Sequence, residues 1–256
     1  MILSNSRGLF AQISSQYRSF LLAALVLFAS SVSALAQHNI GHGKCCGRQD
    51  VILIRGGAGY WPGAQDMADH FQQLGYMPTV IFGIEYAIVA DEIAEAVAEG
   101  RMAGGVVIVG YSSGADYACL MAGRLQKYGI RVQTLVLVES TLGVSVPANV
   151  DYCANFYGSR RFDAVPVFRG VPVEVAGSQT ILYNINVKQH SQYAEMAARS
   201  HFTIANTEQI RQTASTIVAQ RQPPALVSAM SLATSPSEPA SPPPVIGSSV
   251  DLPPPQ

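Results

Sequence analysis

The chain has 256 residues, 48% of them hydrophobic and 13% charged, with 16 Lys and Arg against 17 Asp and Glu for a formal net charge of −1. With no basic stripe along the sequence, nucleic acid is excluded as the expected partner, because phosphate-directed Lys and Arg carry that kind of binding. The length suits one domain built around a single core.

Residues 1–36 carry Arg7 and Arg18 and no acidic residue, then the apolar block Phe20-Leu-Leu-Ala-Ala-Leu-Val-Leu-Phe-Ala29, then Ala34-Leu-Ala36 before Gln37. A basic start, a short apolar block and small residues at −3 and −1 predict a secretory signal peptide cleaved after Ala36. The block is short of the roughly 20 apolar residues that a spanning helix needs. An uncleaved anchor is the alternative. The mature chain is therefore expected in the periplasm or outside the cell. Removing Arg7 and Arg18 leaves it 14 basic and 17 acidic residues.

Residues 37–48 read as a flexible mature N-terminus. His38, His42, Cys45 and Cys46 could offer imidazoles and thiolates to a soft metal, but adjacent cysteines are not a usual ligand spacing, and no metal is expected. An exported protein can form disulfides, and a bridge from Cys45 or Cys46 to Cys153 is one possible pairing.

The predicted domain is 49–221. Asp50-Val-Ile-Leu-Ile54 reads as a buried strand ending in the glycine loop Arg55-Gly-Gly-Ala-Gly59. Residues 64–74 place Met67, Phe71 and Leu74 at helical spacing before Gly75. Thr79-Val-Ile-Phe82 is a second strand, and Asp91 is expected to cap a helix over Glu92–Glu99. Gly105–Val109 is a third strand, followed by a helix around Asp116–Lys127, and Val132–Val138 is a fourth. Further strands are expected at Tyr152–Tyr157 and Thr180–Val187, and a last helix near Ala205–Gln220. Apolar strands with little polar alternation, separated by helices, predict an α/β fold: a mostly parallel sheet covered on both faces. From Gln222 the chain turns Pro-rich, through Pro242-Pro-Pro244 and Pro253-Pro-Pro255. That composition predicts a disordered or polyproline-like tail over 222–256.

Between the third strand and its helix stands Gly110-Tyr-Ser-Ser-Gly114, a match to G-x-S-x-G with Ser112 at its centre. Small residues are needed there because the turn from strand to helix is sharp, and the serine is then held out at the tip. From Asp50 to about Gln220 the chain resembles the α/β-hydrolase superfamily. That resemblance implies that Ser112 is a nucleophile, with an acid and a histidine later in the chain. Arg55-Gly-Gly-Ala-Gly59 is similar to the family's His-Gly-Gly loop, with Arg55 where a histidine is often found. The resemblance implies that the N–H groups of Gly57 and Ser113 face the developing oxyanion. The string Gly110-Tyr-Ser-x-Gly-Ala-Asp116 is also similar to periplasmic virulence-type hydrolases of the VirJ kind, which keeps phospholipid esters among the substrates.

Gly57-Ala-Gly59 could instead open a dinucleotide fingerprint, but Pro62 stands at the third glycine position and Glu85 is too distant for the ribose carboxylate.

A serine hydroxyl needs a base. His70 precedes the nucleophile, which leaves His190 and His201. His201, in Ser200-His-Phe-Thr-Ile204 before the last helix, is favoured by chain order, and His190 reads as a loop residue. For the acid, Glu139 ends the fourth strand beside the nucleophile strand, while Asp163 lies in Gly158-Ser-Arg-Arg-Phe-Asp-Ala-Val-Pro166, a loop resembling the family's commoner acid position with two extra residues. Glu139 is preferred, with Asp163 the alternative and Asp151 a weaker third.

Asp116, in the first turn of its helix, is accounted for by the helix dipole. Cys119 reads as a packed residue. Tyr60 and Trp61 either line an acyl pocket or form a surface pair. No long insertion follows Leu135–Val138, so no large lid is expected. The reading is an exported serine hydrolase for carboxylic esters or thioesters, with a small-molecule or lipid acyl ester as partner and no cofactor. A catalytically silent α/β-hydrolase-like binding protein and a Rossmann-like nucleotide-binding protein are the alternatives.

Overall fold

Asp50–Arg55 is apolar at four consecutive positions, and burial on both faces of a sheet is what such a run requires. In the computed structural model, which describes residues 38, 40–41, 48–102, 105–158 and 169–221, this run is strand β1, second from one edge of a six-stranded sheet. The chain divides into two units, Met1–His38 and Asn39–Gln256. All elements below belong to the second. The signal sequence, Cys45 and Cys46, Asp163 and the Pro-rich tail lie outside the described residues.

In chain order the elements are β1 (Asp50–Arg55), α1 (Ala64–Gln73), β2 (Met77–Phe82), α2 (Tyr86–Ala98), β3 (Gly105–Tyr111), α3 (Ser113–Lys127), β4 (Arg131–Val138), β5 (Val150–Tyr157), β6 (Ile181–Asn186), α4 (Ala194–Ala197) and α5 (Glu208–Gln220). The sheet order is β2-β1-β3-β4-β5-β6, and every neighbouring pair is parallel. This is the α/β architecture expected from the apolar strand runs.

Side chains alternate across each strand, so the sheet has two cores. Val51, Leu53, Val107 and Val109 face α1 and α5, whose Met67, Phe71, Ile210 and Ile217 are buried against them. Ile52, Ile54, Val106 and Ile108 face α2 and α3, meeting Val89, Ile93, Met121 and Leu125. Each such fully buried side chain contributes about 1.5–3 kcal/mol by leaving water.

The helix predicted to start at Asp91 begins earlier, at Tyr86. The Gly83–Glu85 turn starts it instead: the Glu85 carboxylate accepts the Phe82 N–H at 2.7 Å and terminates the strand. Asp91 sits within α2 and takes the Arg124 guanidinium at 2.7 and 2.6 Å and the Tyr128 hydroxyl at 2.7 Å, tying α2 to α3. Arg124 and then Tyr128 hold the Asp91 carboxyl below its usual range.

β1 leads outward to β2 on one side, and β3 lies on its other side, so the strand order reverses at β1 and β3. In open parallel sheets, ligands usually bind outside the carboxyl ends of the strands at such a reversal. Here the loops at those ends are the glycine loop and the Ser112 turn. Among the described residues, no helix is inserted between β4 and β5, and none is long and apolar enough to cross a membrane.

Candidate active site

The chain leaves β3 at Tyr111 and enters α3 at Ser113, with Ser112 alone between them at φ 57°, ψ −131°. A β-carbon is strained there, at a cost of about 1–3 kcal/mol that the surroundings must offset. The Ser112 N–H donates to the Val138 carbonyl at 2.8 Å, and its own carbonyl accepts the Ala115 N–H at 2.9 Å. A β-carbon on Gly110 would lie 2.7 Å from the Ala115 Cα, and one on Gly114 would meet the carbonyl oxygens of Ile54 and Arg55. Both glycines of G-x-S-x-G are therefore required by close backbone approach.

Ser112 Oγ lies 2.9 Å from His201 Nε2, and His201 Nδ1 lies 3.0 Å from Glu139 Oε2. A carboxylate oxygen only accepts, so Nδ1 carries the proton. Nε2 of the neutral ring is then free to accept from the Ser112 hydroxyl. His201 and Glu139 are 5% and 2% exposed, so this chain of hydrogen bonds runs into the protein interior.

His201 occupies a turn between α4 and α5, and its carbonyl accepts the Tyr111 hydroxyl at 2.7 Å. The residue at the variable position of the motif thus holds the histidine backbone. Burial first, then the neighbouring Tyr60 and Glu139 charges, push the Tyr111 phenol above its ordinary value, so it remains a donor.

Glu139 follows β4 with φ 58°, and its N–H donates to the Phe156 carbonyl at 2.8 Å. Its carboxylate accepts the N–H of Gly158 at 2.6 Å and of Gly170 at 2.9 Å besides His201. A β-carbon on Gly170 would stand 3.0 Å from Glu139 Oε1 and 2.7 Å from the Tyr157 Cβ, so only glycine brings its N–H this close.

On the other side of Ser112, Gly57–Gly59 forms a 3-10 turn closed by bonds from Gly59 N–H to the Gly56 carbonyl and Tyr60 N–H to the Gly57 carbonyl, both 3.0 Å. A β-carbon on Gly56 would lie 3.0 Å from the Ser112 Cβ, and one on Gly57 3.7 Å from the Ser113 Oγ. The loop is therefore in contact with the serine turn. Gly57 and Ser113 each open a helical turn, where an N–H has no acceptor within its own helix. Arg55, in the place of the resembling family's histidine, holds its guanidinium 5.6 Å above the Phe82 ring.

Ser112, His201 and Glu139 are thus brought together, with Gly57 and Ser113 beside them. Asp151 is not: it pairs with Arg131, near the opposite ends of β4 and β5. His70 Nε2 bonds to Ser215 Oγ at 3.0 Å, and the His190 ring packs at 6.2 Å from that of Tyr193. Trp61 is buried and donates to the Ala205 carbonyl at 3.3 Å, whereas exposed Tyr60 donates to the Phe202 carbonyl at 3.2 Å. The two aromatic residues therefore divide between core and rim. Cys119 and Cys153 are free thiols. Cys153 forms no bridge because it lies in the middle of β5, wholly enclosed by the sheet and α3. The glycine loop forms only a single 3-10 turn and is followed by α1 at Ala64, so no α-helix starts at Gly57–Gly59 as a dinucleotide fingerprint requires. Among the described residues, no group of three or more His, Cys, Asp and Glu is placed to hold a metal.

Four contributions escape a sequence reading. Gly158 and Gly170 act through backbone N–H groups, Tyr111 occupies a position the motif leaves open, and Asp116 is 3% exposed where a dipole-stabilising acid would face solvent. The close spacing of Asp116 to Ser112, on one face of a helix, was the available signal.

The parallel sheet, with a serine turn after β3 and the glycine loop after β1, has the architecture expected from the α/β-hydrolase resemblance. No protein-family model matches the chain, and no curated protein matches it. Among solved structures it is similar to a Lactobacillus plantarum WCFS1 protein assigned as a cell surface hydrolase, at 11% identity and TM-score 0.36 over 72% of this chain and 97% of that one. It is also similar to the Vlm2 thioesterase domain, at 11% identity and TM-score 0.36 over 69% and 94% of the two chains.

Proposed function

We propose that this protein is an exported serine hydrolase that cleaves a carboxylic ester or thioester through an acyl-enzyme. The observation that carries the reading is the unbroken run of hydrogen bonds from Ser112 Oγ through His201 to Glu139, at 2.9 and 3.0 Å. Those distances fall within the reach a general base needs.

In this mechanism Ser112 Oγ attacks the carbonyl carbon while His201 Nε2 takes its proton. Negative charge gathers on the carbonyl oxygen, where the N–H groups of Gly57 and Ser113 stabilise it. One such donor is worth about 3–4 kcal/mol in comparable sites. The protonated imidazole then hands its proton to the departing alkoxide or thiolate. Water attacks the acyl-enzyme with His201 again as base and releases the acid. Glu139 fixes the tautomer and stabilises the imidazolium without taking the proton itself. Export rests on the basic start, apolar block and Ala34-Leu-Ala36 of the leader.

The test is labelling of the purified protein with a fluorophosphonate probe, beside Ser112→Ala and His201→Ala. Labelling of the wild type that is lost in both variants is the expected result. A folded wild type that never labels would overturn the reading and leave the fold as a binding scaffold.

A further inference from the structure

Asp116 lies in the first turn of α3, on the helix that Ser112 begins, and is 3% exposed. No Lys or Arg pairs with it among the described residues. A buried carboxylate in that position is unfavourable unless donors fill its lone pairs. Here every donor comes from one loop. Ser140 Oγ donates to Oδ1 at 2.7 Å, the Thr141 hydroxyl to Oδ2 at 2.7 Å and the Thr141 N–H to Oδ2 at 3.1 Å, while the Leu142 N–H reaches both oxygens at 3.2 Å. The helix dipole favours an acid at this position but does not require its burial or these partners.

The loop that Asp116 grips begins at Glu139. That residue has a left-handed backbone without being glycine, so its conformation persists only if the chain on both sides is held. Before it, the Val138 carbonyl is held by the Ser112 N–H, and its own N–H is held by Phe156. After it, Ser140, Thr141 and Leu142 are held by Asp116. We propose that Asp116 is a positioning residue that sets the Glu139 carboxylate against His201 by fastening the loop after β4 to the helix that carries the nucleophile. The inference rests on the serine-hydrolase reading above.

The experiment measures fluorophosphonate labelling of the full chain, with the maximal rate and the probe-binding constant determined separately. The set is wild type, Asp116→Asn, Glu139→Gln and the double variant, each with a thermal melt. Asn replaces one acceptor oxygen with an amide donor that confronts the donors of Thr141 and Leu142. Asp116→Asn is expected to lower the maximal rate about tenfold or more with the binding constant unchanged, and to cost less than about twofold once Glu139 is already Gln, because residues acting through one group are not additive. An unchanged rate in Asp116→Asn, or an equal loss on top of Glu139→Gln, would overturn the proposal.

Should Asp116→Asn fail to fold, Ser140→Ala with Thr141→Val removes the side-chain half of the same grip and must show the same non-additivity with Glu139→Gln. A wild type that does not label defeats the hydrolase reading itself, and this inference with it. A labelling wild type with indifferent Asp116 and loop variants defeats this inference alone.

Discussion

Ser112 and Glu139 adopt nearly the same φ, 57° and 58°, and are joined through the backbone by the 2.8 Å bond from the Ser112 N–H to the carbonyl preceding Glu139. Ala58, in the glycine loop, is the remaining non-glycine residue at positive φ among the described residues. Unfavourable backbone is therefore gathered where β1, β3 and β4 end, and nowhere else in the described chain. Strain of this kind persists where the surroundings over-determine it, which is typical of functional sites.

Glu139→Gln is expected to slow fluorophosphonate labelling by about 10²–10⁴, the upper end matching the loss when a triad carboxylate becomes an amide. Gln has one acceptor oxygen for three donors, from His201, Gly158 and Gly170. A labelling rate within twofold or so of wild type would remove Glu139 from the mechanism.

Tyr111→Phe removes the hydroxyl that donates to the His201 carbonyl at 2.7 Å. The loss should be about 0.5–1.5 kcal/mol of stability, the net worth of one hydrogen bond. Slower labelling should accompany it, as His201 drifts from Ser112. Urea unfolding midpoints and labelling rates of the same preparation decide both points. Normal stability and a normal rate together would show the bond to be dispensable.

The two glycines of the loop after β1 should differ sharply. Gly56→Ala places a methyl 3.0 Å from both the Ser112 Cβ and the Tyr111 carbonyl, whereas at Gly57 the nearest atom is the Ser113 Oγ at 3.7 Å. Gly56→Ala is expected to lower the melting temperature and abolish labelling, while Gly57→Ala folds like the wild type. Equal melting temperatures would mean that the loop yields more easily than its packing implies.

Alkaline pH should unfold the protein earlier than surface charge alone would. Burial, then the Asp116 charge, push the Cys119 thiol from its ordinary 9.0 up to about 12, and burial pushes the Tyr152 phenol from 10.0 up to about 12. These groups stay neutral in the folded chain, so the unfolded chain loses their protons first as pH rises. Their contribution is intact below about pH 9 and declines between there and about 12. Urea midpoints should fall across that window, and Cys119 and Cys153 should resist iodoacetamide at neutral pH until denaturant is added, because the thiolate is the reactive form. Rapid alkylation of the native protein would contradict this.

Much of the sheet could be read from the sequence because a doubly covered parallel strand has to be apolar at consecutive positions, as Val51–Ile54 and Val106–Val109 are. The serine turn was readable because a sharp strand-to-helix turn excludes side chains by close backbone approach, Gly110 against Ala115 and Gly114 against the Ile54 and Arg55 carbonyls. The start of α2 was not, since the carboxylate that ends β2 belongs to Glu85, a residue without strong helix-starting character, while the better capping type, Asp91, is engaged by Arg124 from another helix. Glu139 and Asp163 could not be separated by pattern, because reach to His201 depends on which strand neighbours β3 and on where Gly158 and Gly170 bring their N–H groups. The burial of Asp116 is hidden from the sequence for a related reason: its partners lie more than twenty residues downstream, on a loop whose path the sequence does not specify.

The bond from Tyr111 to His201 gives the short string 111–116 a wider reach than its motif suggests. Tyr111 touches the base, Ser112 is the proposed nucleophile and Asp116 grips the loop behind the acid, so one turn of chain addresses each corner of the site. Gly158 and Gly170, by contrast, bear on Glu139 through their backbone N–H groups. In recombined or redesigned variants the segment 111–116 should therefore behave as an indivisible cassette.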